Sequence, residues 1–145
     1  MRLALFEAAR AAGRGDVPVG AVVLDENVEV IASAHNRREV DEDPLAHAEM
    51  LALREASAHR PSGGWRFDGC TLVVTLEPCA MCAGAIAQTR LRRLVFGAFD
   101  PKAGAVSSLF DVLRDPRLPH RVEVVSGVLA AESETLLRDF FNARR

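Results

Sequence analysis

The chain has 145 residues, 49% of them apolar, which suits a single domain over residues 1–145 with a sizeable buried core. Eighteen Lys and Arg stand against twenty Asp and Glu, a formal net charge of -2, so the overall balance does not advertise a polyanionic partner, and any nucleic-acid contact has to come from local patches. Met1 to Glu7 include an acidic residue and no long apolar run, unlike a signal peptide, and no stretch approaches the roughly 20 apolar residues of a membrane span, so a soluble, cytoplasmic protein with no membrane partner is expected.

In chain order, Leu3, Leu5, Phe6, Ala9 and Ala12 recur at near-helical spacing until Gly13 and Gly15 stop them, predicting a first helix. Val19 to Leu24 and Val28 to Ala32, separated by Asp25-Glu26-Asn27, predict a tight antiparallel hairpin. Asp43-Pro44 then predicts a helix start, with a capping carboxylate and a proline in the first turn ahead of Leu45, Ala48, Met50, Leu51 and Leu53. Trp65 follows a Gly-rich connection, Ser62-Gly63-Gly64, and could pack a loop or meet a partner. Thr71 to Leu76 is a continuous β-type run, as in a central strand covered on both faces, and Glu77-Pro78 opens another helix. Leu94 to Gly97 and Val122 to Val125 predict two short strands, with a Pro- and Gly-containing segment from Phe99 to Arg121 between them. A last helix carries Leu129, Leu136, Leu137, Phe140 and Phe141. Strands alternating with helices after a hairpin imply a mixed sheet with helices on both faces, a three-layer α/β/α architecture.

Two short pieces carry the chemistry: His47-Ala48-Glu49 and Pro78-Cys79-Ala80-Met81-Cys82, each at a predicted helix start. Positions two apart on a helix point to nearly opposite sides, so His47 and Glu49 can share a site only off the helix end. Cys79 and Cys82, three apart, lie on one face within a first turn. Two helix N-termini therefore converge on one point, where unsatisfied N–H groups favour deprotonated sulfur. His47, Cys79 and Cys82 are then three zinc ligands, leaving a coordination position open for water, as a catalytic zinc requires. Two thiolates already offset the ion's charge, which makes a separate proton acceptor useful, and Glu49 is the candidate. The reaction that fits is hydrolysis at an amine-bearing ring carbon, Glu49 carrying the proton from water to the neighbouring ring nitrogen and then helping to protonate the departing ammonia. A structural zinc would need a fourth ligand, for which Cys70, His35, His59 and His120 are available without paired spacing.

His-x-Glu followed by Pro-Cys-x-x-Cys is the pattern of the zinc nucleobase deaminases. Around it, Val17 to Val22, Asn36-Arg37, Ala46 to Glu49, Thr75 to Ala85 and Val95 to Ala98 resemble the tRNA adenosine deaminases of the cytidine-deaminase superfamily. Asp100 to Ala105, His120 to Glu123 and Asp139 to Phe141 extend the resemblance over nearly the whole chain. The resemblance implies a cytidine-deaminase-like fold with a five-stranded mixed sheet, a homodimer with one zinc per subunit, and conversion of the wobble adenosine of an arginine tRNA to inosine. It also implies that Asn36 contacts the flipped nucleoside, Glu49 shuttles protons, Asp100 lies near the ribose and Lys102 near the RNA. Phe140, Phe141, Arg144 and Arg145 would then lie along the anticodon stem-loop. Phe99 departs from the arginine common beside that aspartate. The alternatives are a deaminase of free guanine or cytosine-type bases or nucleosides, and a non-catalytic RNA-binding module with structural zinc.

The remaining polar and aromatic residues have ordinary readings. Cys70 is expected at a strand edge as a small apolar residue. His59 and His120 are expected as solvated surface, and Met50 and Met81 as core filler. In Arg90-Leu91-Arg92-Arg93, capping of a helix carboxyl end competes with RNA contact. Adjacent Phe140 and Phe141 cannot both face one core, so one is expected exposed for stacking.

Overall fold

A computed structural model describes residues 1–59 and 64–145. Among these residues the elements run α1 (Arg2–Gly13), β1 (Gly20–Leu24), β2 (Val30–His35), α2 (Ala48–His59), β3 (Thr71–Leu76), α3 (Ala80–Gln88), β4 (Arg93–Ala98), β5 (Glu123–Val125) and α4 (Ala130–Asn142). The strands form one five-stranded sheet in the order β2-β1-β3-β4-β5. β1 lies antiparallel to both β2 and β3, whereas β3, β4 and β5 run parallel. The sheet is mixed, as the hairpin followed by alternating strands and helices predicts.

The strand alternation separates two apolar layers. Ala21, Val23, Leu72, Val74, Leu94 and Phe96 join Ala48, Ala52 and Leu53 of α2 and Ala83 and Ile86 of α3 in the main core. The intervening residues Val22 and Val73 point to the opposite face and pack with Ala4 of α1. On that second face α4 packs against β4, β3 and α1, which completes the α/β/α layering. No helix of the described residues is long and apolar enough to cross a membrane.

Small residues let α1 sit hard against the sheet. A Cβ on Gly20 would collide with the Ala4 carbonyl oxygen and lie 2.5 Å from the Ala8 nitrogen, both backbone atoms that cannot swing aside. Gly20→Ala is expected to destabilise the protein by about 3 kcal/mol, the upper end of ordinary overpacking costs. A denaturant midpoint unchanged by the substitution would show that α1 does not press on β1 in this way.

Three sequence expectations need correction. The hairpin turn spans Asp25 to Glu29, its Asp25 carboxylate accepting from the Asn27 and Glu29 amides at 2.9 Å each, so β2 begins at Val30 and runs on to His35. α2 does not start at Asp43-Pro44: the Asp43 carboxylate caps the Leu45 amide at 2.8 Å in a separate turn, and the helix begins at Ala48. The segment from Phe99 to Arg121 is more than a connection, because Ala105, Val106 and Leu113 are fully buried in the main core. Ser62 and Gly63 of the predicted Gly-rich connection lie outside the described residues, and Trp65 is exposed.

Candidate active site

β3 ends at Leu76, and the chain turns through Glu77 and Pro78 into α3, whose N-cap is Cys79 with an extended backbone. A serine or aspartate at such a position would cap the helix with its side chain, but Cys79 makes no such bond and its sulfur is left for other work. Cys82, one turn on, is fully buried. His47 stands just ahead of α2, its carbonyl accepting the first helical bond from Leu51 N at 3.0 Å. Its position outside the helix lets its ring and the Glu49 side chain share a pocket although they are two residues apart.

The His47 Nδ1 lies 3.7 Å from Cys79 Sγ and 3.5 Å from Cys82 Sγ. Zinc bonds of about 2.0–2.1 Å to nitrogen and about 2.3 Å to sulfur at tetrahedral angles put N and S about 3.6 Å apart, so both nitrogen–sulfur edges fit a zinc site, and all three donor atoms lie within 4.8 Å of one another. In the protein alone the donors bond to one another. Hydrogen bonds from Cys82 and His47 pull the Cys79 thiol down to about 3, its bond to Cys79 and then burial push Cys82 up, and the bond to Cys79 raises His47. A bound dication would draw both sulfurs into the thiolate form.

Among the described residues no other His, Cys, Asp or Glu joins this group. The four candidates for a closing fourth ligand are engaged elsewhere. His35 Nδ1 meets Glu7 at 2.7 Å, the His59 ring bonds its own helix at Glu55 O, His120 Nε2 donates to Leu91 O at 2.7 Å, and Cys70 is fully buried ahead of β3. His120 is thus half-buried and anchored, not solvated as expected from the sequence, while His59 is exposed.

Glu49 is 4% exposed and lines the pocket beside His47 and Cys79. Burial raises its carboxyl above the usual range, which moves a carboxylate toward the neutral pH where a proton shuttle is effective. Val17, Val19, Asn36, Arg38, Asp100 and Ala103 complete the lining. The Asn36 amide donates to Val17 O at 3.2 Å and its Oδ1 accepts from Arg38 N at 3.4 Å, leaving one N–H and one lone pair to spare. Asp100 Oδ1 accepts from the Lys102 and Ala103 amides at 3.0 and 3.2 Å.

The pocket therefore gathers His47, Glu49, Cys79, Asn36 and Asp100, with Cys82 buried behind it, but neither Lys102 nor the C-terminal residues are in its lining. Lys102 is exposed on the loop after Asp100. Phe140 is buried and Phe141 exposed, their rings edge to face at 5.4 Å. The Arg144 guanidinium lies 3.5 Å over the Phe140 ring and donates to Gly15 O at 3.2 Å, and Arg145 is exposed.

Sequence reasoning missed Arg38, Asp16 and Glu77. Asp16 is fully buried and its carboxylate accepts from the Glu39 and Val40 amides at 2.8 and 3.3 Å, bracing the turn that presents Asn36 and Arg38. Glu77 is 2% exposed and holds the loop after β4. Burial works to raise its carboxyl, but hydrogen bonds from the Ser108 hydroxyl and the Asp100, Ser108 and Ser107 amides bring it below the usual range. Its only sequence signal was adjacency to Pro78-Cys79.

Three zinc donors, joined by no fourth protein donor among the described residues, and a buried carboxylate beside them define a hydrolytic metal centre. The description "cytidine and deoxycytidylate deaminase zinc-binding region" matches residues 1–98, and the chain belongs to this family of zinc-dependent deaminases, with one zinc per chain. Within it, the chain is 49% identical to the tRNA-specific adenosine deaminase of Bacillus subtilis, over all of this chain and 88% of that one. It is 47% identical to the Haemophilus influenzae protein of the same name, over all of this chain and 83% of that one. A structure from work on A-to-I editing by tRNA:A34 deaminases at the wobble position superposes with a TM-score of 0.88 at 44% identity, covering 94% of this chain and 97% of that one. The guanine deaminase of Nitrosomonas europaea superposes at 0.76 with 27% identity, over 94% and 80% of the two chains.

Proposed function

We propose that this chain converts the wobble adenosine of a tRNA anticodon, an arginine tRNA foremost, to inosine, releasing ammonia. The observation that carries this reading is the 49% identity across the whole chain to a tRNA-specific adenosine deaminase, against 27% to the guanine deaminase. His47, Cys79 and Cys82 would hold the zinc, which when bound would supply an acidified water as the hydrolytic nucleophile. Glu49 takes one proton from the water and delivers it to the ring nitrogen beside the reacting carbon, then takes the second from the hydroxyl added to that carbon and passes it to the amine, which leaves as ammonia while the carbonyl forms. Asn36, with a donor and an acceptor to spare, holds the flipped nucleoside, and Asp100 meets its ribose. Lys102, Phe140, Phe141, Arg144 and Arg145 contact the anticodon stem-loop outside the pocket. An anticodon loop is already partly unstacked, so flipping its base costs little and a near-neutral protein can act without a large basic surface. The working unit is a homodimer in the cytoplasm.

Zinc-replete protein incubated with an arginine tRNA carrying adenosine at the wobble position is expected to yield inosine there, and to leave free guanine unchanged under the same conditions. Turnover of guanine with no inosine in the tRNA would favour the free-base reading, to which the likeness to the guanine deaminase lends its one observation.

A further inference from the structure

Glu77 lies between the metal-ligand turn and the substrate wall. It follows β3 directly, two residues before Cys79, and its own amide donates to Ala98 O at the end of β4 at 2.8 Å. Its side chain is turned away from solvent, and among the described residues no Lys, Arg or His pairs with it. A carboxylate in that position needs donors, and all of them come from the loop after β4. Oε1 accepts from the amides of Val106, Ser107 and Ser108 at 3.2, 2.7 and 2.8 Å. Oε2 accepts from the Asp100 amide at 3.0 Å and from the Ser108 hydroxyl.

The loop is fitted to this carboxylate. Gly104 pairs with Cys79 as an antiparallel bridge, and Ala105 N donates to Pro78 O at 2.8 Å, so the segment is laid across the metal-ligand turn itself. A Cβ on Gly104 would collide with the Glu77 carboxyl group and lie 2.6 Å from Asp100 O, so only glycine permits the approach. One end of this arc, Asp100 and Ala103, is pocket wall. The loop has ties of its own, among them Gly104 N to Asp100 O and Leu109 N to Gly104 O at 2.9 Å each and Arg114 to Val106 O at 2.9 Å, but none of these joins it to the turn before Cys79. Its best donors converge on one side chain, and charge-assisted bonds of that kind are about twice as strong as neutral ones.

We propose that Glu77 is a positioning residue for substrate: by gathering the amides of residues 100 and 106–108 it fixes the segment that carries Asp100 and Ala103 into the pocket wall, and so governs how well substrate is held and not the hydrolytic step. The proposal rests on the reading above that this wall faces the bound nucleoside. It makes Glu77 distinct from Glu49, which lines the pocket beside His47 and Cys79.

The test compares wild type with Glu77→Gln and Ser108→Ala, all zinc-replete. Glutamine keeps the shape of the side chain, but in either orientation its NH₂ faces N–H groups where an oxygen stood. Bound zinc, amide hydrogen exchange at residues 106–108, and kcat and KM on an anticodon stem-loop are measured. Glu77→Gln is expected to keep one zinc per chain, to lose about 100-fold of the exchange protection at those amides, and to raise KM about tenfold while kcat changes less than about threefold. Ser108→Ala, which removes one donor and leaves the charge, shifts exchange and KM in the same direction by less, and decides the matter if Glu77→Gln does not fold. Unchanged exchange and KM in these variants would overturn the proposal, as would a fall in kcat with KM unmoved. A wild type that turned over guanine but not the stem-loop would remove the tRNA reading alone; KM would then be compared on guanine, and the exchange readout is independent of either substrate.

Discussion

Glu49→Gln is expected to retain a full complement of zinc and to lose about 10³-fold in kcat, in the middle of the range for a positioned acid-base group. The reasoning is geometric before it is electrostatic. Glu49 lies in the pocket wall with His47 and Cys79 but outside the cluster of donors that fits a metal, so its removal leaves all three ligands in place. Glutamine fills the same buried space, which keeps the packing of α2 intact. What it lacks is a site to accept protons from the water and pass them to the ring nitrogen and the leaving group. The raised carboxyl bears on that transfer: a group pushed up by burial is a stronger base once ionised and holds the proton more readily near neutral pH until it is passed on. Zinc analysis alongside single-turnover rates checks the result, and a variant with wild-type turnover would remove Glu49 from the chemistry.

Cys82→Ala is expected to abolish turnover and stoichiometric zinc together, while leaving a folded protein. Cys82 is fully buried, so no outside donor replaces its sulfur, and two ligands hold zinc poorly. The fold survives because the main core spans the sheet, α2 and α3 without drawing on the metal. Losing a ligand bound about a thousandfold above its dissociation constant removes about 4 kcal/mol, roughly a 10 °C fall in unfolding midpoint for a domain of this size. Stripping zinc from the wild type with a chelator should lower the midpoint similarly. It should also expose a distinctive reactivity: Cys79, held down to about 3 by hydrogen bonds from Cys82 and His47, is a half-buried thiolate at neutral pH, whereas Cys70 is fully buried. Iodoacetamide should therefore label Cys79 in stripped protein and spare it in loaded protein. Full activity of metal-free protein would end the zinc-hydrolytic account.

The metal ligands were legible in the sequence because their spacing carries geometry. Cys79 and Cys82 three apart at a helix start, and a histidine and glutamate two apart at another, can meet only where two helix ends converge. The strands were legible from alternation and from the continuous apolar run of β3. The start of α2 was misplaced because Asp43-Pro44 has the local chemistry of a helix cap yet is used in a turn, which keeps His47 out of the helix and free to reach the sulfurs. Glu77 and Asp16 were not legible as site residues, since their partners are backbone amides 23 to 31 and 23 to 24 positions away, and an amide has no residue type to recognise. Asn36 and Asp100 were reached only through family resemblance; the pocket brings both beside Glu49.

The parallel pairing of β3 with β4, with Leu76 opposite Ala98, has a consequence for how such an enzyme changes over time. Two of the three zinc donors, Cys79 and Cys82, follow the carboxyl end of β3, and Asp100 and Ala103 of the pocket lining follow the same end of β4. Their spacing is fixed by sheet register and by the ties of Gly104 and Ala105 to the ion-binding turn, so the freedom to diversify lies with the exposed positions of the stretch following β4, such as Lys102. New substrate preferences can arise at those exposed positions while the anchored part of the exit and the hydrolytic apparatus are inherited together.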